Sequence, residues 1–493
     1  MPAPEPGFYR TPPLYRILDH VSGGLLLFAI VWAPWALGTT TGDTITVLTG
    51  VGYTLGLLLL VKKVFCARFG FDPVRWVSDG SGWPMKVIAG LCVALLLYVI
   101  ISVVNKHAIG IYTYNAPNPK QITGVDLTFF ESIPWLPASY DWPRSLKAAI
   151  RYFGLACFFW ATREWIMGKS KAERHGSGSD SEQPFPNERA RIALWTLVLS
   201  ATALALTGIL QRFDKTPKLL WLFDHNGRPD FSFGPFAYRG SGAQYLNLIM
   251  PVAFGFWWTL REQARKRSGT NQRAGGDAYV MIVPCVILMA AGSAVTTSRG
   301  GAAVAVLLLL VAALIVATAR RASAGLRVGL LSTVTIATLV SFVLGGEDLQ
   351  KRLQKLGSDN LGGRGEVYEV THRMLNDFHV FGSGAETFVS LYAFYRSDER
   401  GVWAAYAHND WMETVITFGW AGASIVFALL LMIPVANLFG RGIRANREFR
   451  ALIFLSLFGV MVHGYFDFPF QVYGILYTFT FLAAIATLAT REA

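Results

Sequence analysis

The stretch that decides the fold is residues 404–422, AAYAHNDWMETVITFGWAG, in which the polar run His408–Asp410 passes directly into a long apolar segment. The apolar segment predicts a membrane-spanning helix. The polar run closes an insertion, residues 345–410, which also carries the glycine-rich sequence Gly362–Gly365. Almost every other part of the chain reads as apolar helices joined by short loops. This insertion is therefore the place to look for chemistry.

The composition is that of a membrane protein. Hydrophobic residues make up 53% of the 493 positions and charged residues only 15%, whereas soluble proteins carry about 25% charged residues. Apolar runs of roughly 17 to 22 residues, which can cross about 30 Å of hydrocarbon, recur along the whole chain. They lie near residues 21–38, 45–64, 85–104, 146–167, 191–210, 243–260, 279–295, 301–319, 326–344, 411–438, 451–468 and 473–489.

These runs predict an all-α polytopic membrane protein with about twelve transmembrane helices. Spans one to nine would occupy residues 1–344, and spans ten to twelve residues 411–493. The insertion 345–410 lies between spans nine and ten and is expected to contain short helices. Apolar side chains recur at helical spacing over 366–378, which predicts one amphipathic helix there.

The distribution of basic residues predicts the orientation in the membrane. Lys and Arg cluster in alternate loops, whereas the short turns at 39–44 and 464–472 contain neither. Because basic loops are retained on the cytoplasmic side, both termini are predicted to be cytoplasmic and the insertion 345–410 to face outward. The net charge of +12 mostly reflects this bias, which suits the headgroups of membrane lipids and not a nucleic-acid partner. The four cysteines indicate no disulfide framework.

Two further outer loops carry features of interest. Residues 105–145 interleave aromatic side chains with prolines, which is typical of an aromatic belt at the membrane surface, with stacking on sugar rings as the alternative. Residues 211–242 contain several cations, and Arg239 stands where span six begins. Cations on an outer face run against the positive-inside trend. A phosphate group is the simplest ligand that would require Arg239 there.

Two arginines stand in sequences that favour anion binding. Arg299 lies in the tight outer turn Thr296–Gly301 between spans seven and eight, flanked by hydroxyls and by two glycines that allow close backbone approach. The alternative is a guanidinium that reaches up to lipid headgroups. Arg364 lies within Gly362–Gly365, immediately before the predicted amphipathic helix, where free N–H groups and the helix dipole favour a diphosphate. Glycines that simply start a helix are the alternative.

His408 is the candidate catalytic residue. It precedes the helix of span ten, for which Asn409 or Asp410 is the expected N-cap, and Asp410 and Glu413 have capping-box spacing. The positive end of a helix dipole favours a neutral imidazole. A neutral imidazole can accept a proton from an attacking hydroxyl, as a general base does. A hydrogen-bonded interfacial histidine with no catalytic role is the alternative.

The last outer turn places His463 and Asp467 between spans eleven and twelve. Asp467 is expected to pair with an arginine and hold its side chain, and a purely structural ion pair is equally consistent. The chain contains no phosphate loop followed by Lys, no His-Glu-x-x-His sequence and no cysteine ligand set. Nucleotide-driven or metal-dependent catalysis is therefore not indicated, and no metal or cofactor is expected.

The arrangement resembles the bacterial O-antigen ligases and polymerases, multi-span glycosyltransferases that act on undecaprenyl diphosphate-linked glycans. The motifs that carry the resemblance are Ser298–Gly301, Gly363–Arg364, Phe381–Gly384, Ala407–Asp410 with Glu413 and Phe418–Gly422, and His463 with Asp467. The resemblance implies a catalytic histidine, His408, and donor-binding arginines, Arg299 and Arg364; Arg239 is added from its position in the loop. Asp467, His463 and Glu413 would support them.

The resulting hypothesis is an O-antigen ligase in the bacterial inner membrane, with its active site on the periplasmic side. It would transfer a preassembled polysaccharide from undecaprenyl diphosphate to a sugar hydroxyl of lipid A-core, without a metal and with inversion at the anomeric carbon. Three alternatives remain open. An O-antigen polymerase and a protein O-oligosaccharyltransferase would use the same donor with another acceptor. A lipid-linked glycan transporter would instead show polar groups at mid-membrane.

Overall fold

The computed structural model describes residues 11–77, 82–115, 118–175, 185–224, 229–268, 278–320, 364–396 and 404–491, with short pieces between 322 and 339. The described part is mostly helical, as predicted. Its helices are α1 (Pro13–Trp35), α2 (Gly42–Phe69), α3 (Trp83–Val104), α4 (Trp142–Met167), α5 (Lys171–His175), α6 (Glu188–Asp214), α7 (Arg239–Ser268), α8 (Ile282–Val295), α9 (Arg299–Ala317), α10 (Gly365–Asp377), α11 (Phe388–Tyr395), α12 (Asp410–Phe439), α13 (Arg447–His463) and α14 (Tyr473–Leu488).

Seven helices in the described ranges are long and apolar enough to cross a membrane, so the chain is a multi-pass membrane protein. They are α1, α2, α3, α6, α8 together with the short turn before it, α9 and α12. The predicted spans at 146–167, 243–260, 451–468 and 473–489 coincide with α4, α7, α13 and α14. The ninth predicted span, near 326–344, lies largely outside the described residues. The total of twelve spans and the domain limits at 344 and 410 remain predictions.

Helix α7 forms the centre of the bundle. Its residues 240–259 are all buried, among them the large side chains of Tyr245 and Trp258. A helix that is covered around its whole circumference must lie among other helices, and α6, α8, α9 and α13 pack against it. The N-terminal ends of α7 and α9 and the C-terminal end of α13 are therefore neighbours. The sequence motifs that begin or end these three helices come together at one end of the bundle.

The expectation of an all-α protein is wrong for the outer loop 105–145. Strands β1 (Ala108–Asn115) and β2 (Asn118–Phe129) form an antiparallel hairpin there, with Ile109 opposite Thr128 and Tyr112 opposite Val125. Alternating β-branched and aromatic residues favour strands. Residues 108–115, AIGIYTYN, have that pattern. A second, two-residue pairing joins β3 (Ile443–Arg444) to β4 (Ala489–Thr490).

The described part of the insertion packs against helix α12, the helix of predicted span ten, and forms hydrogen bonds with it. Helix α10 occupies the region where an amphipathic helix is predicted, and it buries Val367, Val370 and Met374. After α10 the chain makes a glycine turn, in which the Ser383 N–H donates to the Ile416 carbonyl of α12 at 2.8 Å. Gly419 interrupts α12 with a φ of +60°, and a Cβ there would meet the Val380 carbonyl oxygen at 2.1 Å. Only glycine permits this close contact.

Candidate active site

His408 stands at the N-terminus of α12, where two neighbouring side chains fix the backbone. The Asn409 side chain is the N-cap and accepts the N–H groups of Trp411 and Met412, each at 3.1 Å. The expected capping box between Asp410 and Glu413 does not form. The Glu413 carboxylate instead accepts the Ala407 N–H at 2.8 Å, and the Asp410 carboxylate accepts the Phe470 N–H at 2.9 Å. The two carboxylates therefore tie α12 to the segments before and after it.

The His408 backbone is in the left-handed region, with a φ of +52°. This conformation is uncommon for a residue with a side chain and persists only where the surroundings enforce it. The Glu413 and Asn409 contacts hold the flanking residues, and the Tyr368 hydroxyl donates to the His408 carbonyl at 3.2 Å. The backbone is therefore fixed both before and after His408, and this sets the direction in which the imidazole leaves the chain.

Asp467 joins the separate parts of the site through its carboxylate. Its Oδ1 lies 3.2 Å from Nδ1 of His408. Its Oδ2 accepts the Tyr238 hydroxyl at 3.1 Å and lies 3.6 Å from an Nη of Arg364. The Asp467 side chain is 6% exposed, whereas those of His408 and Arg364 are 25% and 24% exposed. A buried carboxylate thus orients two side chains that both reach accessible space.

The contact with Asp467 determines which nitrogen of the His408 imidazole can accept a proton from another group. When Nδ1 carries the proton and donates to the carboxylate, Nε2 is the acceptor. No residue in the described ranges forms a hydrogen bond with Nε2 of His408. In this arrangement Nε2 is the nitrogen that can accept a proton, and an imidazolium would have a carboxylate partner.

Arg364 precedes α10 and contacts three groups at once. Its guanidinium donates to the Tyr238 hydroxyl at 2.9 Å and to the Phe466 carbonyl, besides facing Asp467. Burial lowers the pKa of Arg364, but Asp467 and Tyr238 outweigh this effect and raise the pKa above its ordinary value. Burial and the Asp467 carboxylate also raise the pKa of Tyr238. Arg364 is therefore a cation and Tyr238 a neutral phenol at working pH. Gly362 and Gly363 lie outside the described residues.

Arg299 is the first residue of α9, with Ser298 as the N-cap accepting the Gly301 N–H at 3.2 Å. Its turn lies against the turn that carries Asp467. Nε2 of His463 is 3.2 Å from the Gly300 carbonyl, and a Cβ at Gly300 would meet the Phe466 ring at 2.4 Å. His463 is buried and fixes these two turns together, without contacting His408 or Arg364. The Arg299 side chain is half-buried at this same end of the bundle.

Arg239 contacts its own loop. It donates to the Asp230 carbonyl at 2.8 Å, lies 3.8 Å from the Asp230 carboxylate and covers the Phe231 ring. Its neighbour Tyr238 is the residue of this segment that lies within the cluster around Asp467. The structure thus brings His408, Arg364 and Asp467 into contact, places the Arg299 turn beside them, and pairs Arg239 with an acid.

Sequence reasoning missed the aromatic residues of the site. Phe468 stacks on Tyr238 at 5.2 Å between ring centroids and on Tyr406 at 4.7 Å, and its edge meets the His408 ring at 4.8 Å. These rings form a wall behind the imidazole. The only sequence signal for these rings was their position next to candidate residues: Tyr238 precedes Arg239, and Phe468 follows Asp467. This signal is weak, because aromatic residues are common in such turns.

An apolar cavity of about 760 Å³ lies beside α12, between α9, α13 and α14. Trp411 and Met461 line its outer end, where the Trp411 indole donates to the Met461 carbonyl at 3.1 Å. Ile315, Pro434 and Ala451 line its inner part. Trp411 is three residues from His408 in the chain. The cavity therefore begins next to the polar site and continues along the membrane-spanning part of α12.

Residues 284–427 match the family model described as O-antigen ligase. The match supports an assignment of the chain to the O-antigen ligase family. It confirms the resemblance drawn from the sequence motifs, and it includes Arg299, Arg364 and His408. Tyr238 and Asp467, which complete the cluster around His408 and Arg364, lie outside the matched residues. No curated protein matches this chain.

Proposed function

We propose that this protein is an O-antigen ligase of the bacterial inner membrane. It transfers a preassembled polysaccharide from undecaprenyl diphosphate to a sugar hydroxyl of lipid A-core. The observation that carries the proposal is the Asp467 carboxylate shared by His408 and Arg364, since this places a potential base beside a cation that can face a phosphate. The family match supports the same class of enzyme.

His408 acts as the general base in this mechanism. Nε2 takes the proton from the acceptor hydroxyl while the hydroxyl oxygen forms a bond to the anomeric carbon of the donor. The bond between that carbon and the diphosphate oxygen breaks, and its electron pair leaves with the diphosphate. Asp467 stabilises the imidazolium that forms. A single displacement inverts the configuration at the anomeric carbon, because the acceptor enters opposite the leaving group.

The charges of the site suit a departing diphosphate. Before reaction, Arg364 and Asp467 together are neutral, and proton transfer to His408 adds one positive charge to the cluster. The cluster thus becomes more positive while negative charge develops on the leaving group. Its attraction to the diphosphate is therefore stronger in the transition state than in the bound substrate, and such a difference accelerates the reaction. Arg299 adds a further cation at the N-terminus of α9, where the helix dipole also favours anions.

The apolar cavity beside α12 accommodates part of the polyprenyl tail in this proposal. Its outer end at Trp411 lies next to the polar site, so a lipid in the cavity would present its diphosphate toward Arg364 and Arg299. The lining of the cavity is aliphatic and aromatic, as a polyisoprenoid requires.

The decisive experiment is transfer by the purified protein in liposomes that contain lipid-linked glycan and lipid A-core, without nucleotide or added divalent metal. Wild type is expected to form the ligated product. His408→Ala is expected to reduce the rate by about a hundredfold or more, because the proton acceptor is lost. His372→Ala is the matched control, since His372 is an exposed histidine on α10, and it should retain the wild-type rate.

The same assay separates the alternatives. Unchanged transfer by His408→Ala would contradict the catalytic assignment. Chain growth on the lipid-linked glycan in place of transfer to lipid A-core would identify a polymerase. Transfer to a Ser or Thr peptide alone would identify a protein glycosyltransferase. Movement of the lipid-linked glycan across the bilayer with no transfer would identify a transporter.

A further inference from the structure

A second polar cluster lies at the outer end of α4, apart from the diphosphate site. Its residues are Arg144, Arg151, Glu386, Tyr406 and Tyr473. We propose that this cluster binds hydroxyl groups of the acceptor sugar, an inference that rests on the proposed transferase function. It assigns the acceptor to the opposite face of α12 from the polyprenyl cavity.

Donors and acceptors alternate across this cluster. The Arg151 guanidinium lies 2.7 Å from both oxygens of the Glu386 carboxylate, and the Tyr473 hydroxyl donates to the same carboxylate at 2.8 Å. Arg151 also covers the Tyr473 ring at 5.4 Å. A sugar hydroxyl both donates and accepts hydrogen bonds, so a carboxylate beside a guanidinium and aromatic rings is suited to a saccharide.

The charged groups of the cluster border accessible space. The side chains of Arg144, Arg151 and Glu386 are 30%, 20% and 19% exposed. Arg144 and Arg151 are seven residues apart on α4, which places them on one face of the helix about 10 Å apart along its axis. Arg144 contacts Asp141 and Tyr112 of the hairpin region. The cluster therefore extends from the hairpin inward along α4.

Glu386 is held in a strained conformation. Its φ is +60°, a value that a residue with a side chain adopts only where neighbouring contacts enforce it. The preceding turn supplies those contacts: the Ser145 hydroxyl donates to the Ala385 carbonyl at 2.9 Å, and the Gly384 N–H donates to the Thr417 carbonyl at 2.9 Å. Both α4 and α12 thus fix the carboxylate between them.

Tyr406 connects this cluster to the catalytic histidine. Burial and the Glu413 and Glu386 carboxylates raise the pKa of Tyr406 to about 12, so its hydroxyl keeps its proton and can donate to a sugar oxygen. Its ring stacks on Phe468, whose edge meets His408. A sugar bound at the cluster would therefore lie along an aromatic wall that leads to the proposed base.

The two faces of α12 separate donor from acceptor. Trp411 lines the apolar cavity, whereas Glu413, two residues later, accepts the Ala407 N–H next to Tyr406. Side chains two residues apart on a helix point in directions about 160° apart. A lipid tail on the Trp411 side and a sugar on the Glu413 side would meet only at the helix N-terminus, where His408 stands.

The test compares Glu386→Gln and Tyr406→Phe with the control Glu369→Gln, an exposed carboxylate on α10. Transfer rates are measured while lipid A-core or lipid-linked glycan is varied separately. Both variants are expected to raise the KM for the acceptor about tenfold, through loss of a hydrogen bond to the sugar, and to leave the KM for the donor unchanged. Binding of the water-soluble core oligosaccharide, followed without donor, should weaken by a similar factor. The control should match wild type in every measurement.

An unchanged acceptor KM and unchanged oligosaccharide binding in both variants would overturn the subsite, and so would a rise confined to the donor KM. If Glu386→Gln fails to fold, as judged by its melting temperature, Tyr406→Phe decides alone because it removes a single hydroxyl. If the variants bind the oligosaccharide more weakly but wild type transfers no glycan, the proposed sugar subsite stands and the proposed transferase function is wrong.

Discussion

At the scale of single residues, Asp467 determines how the site operates. Its two oxygens serve different partners, one facing the His408 imidazole and the other facing Tyr238 and Arg364. The carboxylate therefore joins the proposed proton acceptor to the cation that would face the donor. A change at Asp467 alters both halves of the site at once, whereas a change at His408 alters only one.

Asp467→Asn is expected to reduce the transfer rate by about a hundredfold, because a neutral amide neither stabilises the imidazolium nor holds the Nδ1 proton in place. The rate is measured with both substrates saturating. Asp377→Asn is the matched control, since Asp377 accepts a tyrosine hydroxyl, that of Tyr395, at 2.6 Å on the exposed side of α10. A wild-type rate in Asp467→Asn would show that the carboxylate is only a structural partner of Arg364.

At the scale of elements, the start of α12 combines a structural and a chemical role. The Asn409 side chain accepts two N–H groups at the start of the helix. These contacts also fix the backbone of Asn409, which directly follows His408. The helix begins at the site because Asn409 caps it there, and Glu413 holds the preceding residue from the next turn. The direction of the imidazole is thus determined by the same contacts that begin the helix.

Asn409→Ala is expected to cost about 1 kcal/mol of stability and to lower the transfer rate as well, because the His408 backbone loses one of its restraints. Asn446→Ala is the control, since the Asn446 side chain caps α13 at the opposite end of the bundle, where it accepts the Phe449 N–H at 2.7 Å and donates to Thr259 at 2.9 Å. Melting temperatures and rates are measured for both. The two variants should lose similar stability, and only Asn409→Ala should lose rate. An equal loss of rate in both would mean that general destabilisation explains the effect.

Elements with a strong local signal were predictable from the sequence. Runs such as 85–104 carry no charge beyond Lys86, and α10 has apolar residues at helical spacing, so the hydrophobic pattern alone predicts these helices. The hairpin at 108–129 was missed because it lies within a loop whose aromatic residues also suit a membrane interface. The pairing of His408 with Asp467 could not be predicted, because 59 residues separate them and only the packing of α12 against the turn after α13 brings them together.

At the scale of the whole molecule, the site exists because several helix ends meet. Arg299, Arg364 and His408 lie at the starts of α9, α10 and α12, and Asp467 lies in the turn after α13. Helix α7 lies at the centre of the bundle, and α9 and α13 pack against it, so their outer ends must be neighbours. The polar residues at these ends then lie close to Trp411, which lines the apolar cavity.

The orientation of this end of the bundle can be tested with single cysteines. The four native cysteines are free thiols and would first be replaced by serine. Glu369→Cys then reports on α10, and Phe69→Cys on the opposite end of α2; both positions are exposed. In spheroplasts, a membrane-impermeant maleimide is expected to label Glu369→Cys at once and Phe69→Cys only after the membrane is permeabilised, because basic loops remain cytoplasmic. The reverse pattern would place His408 on the cytoplasmic side and exclude a periplasmic transferase.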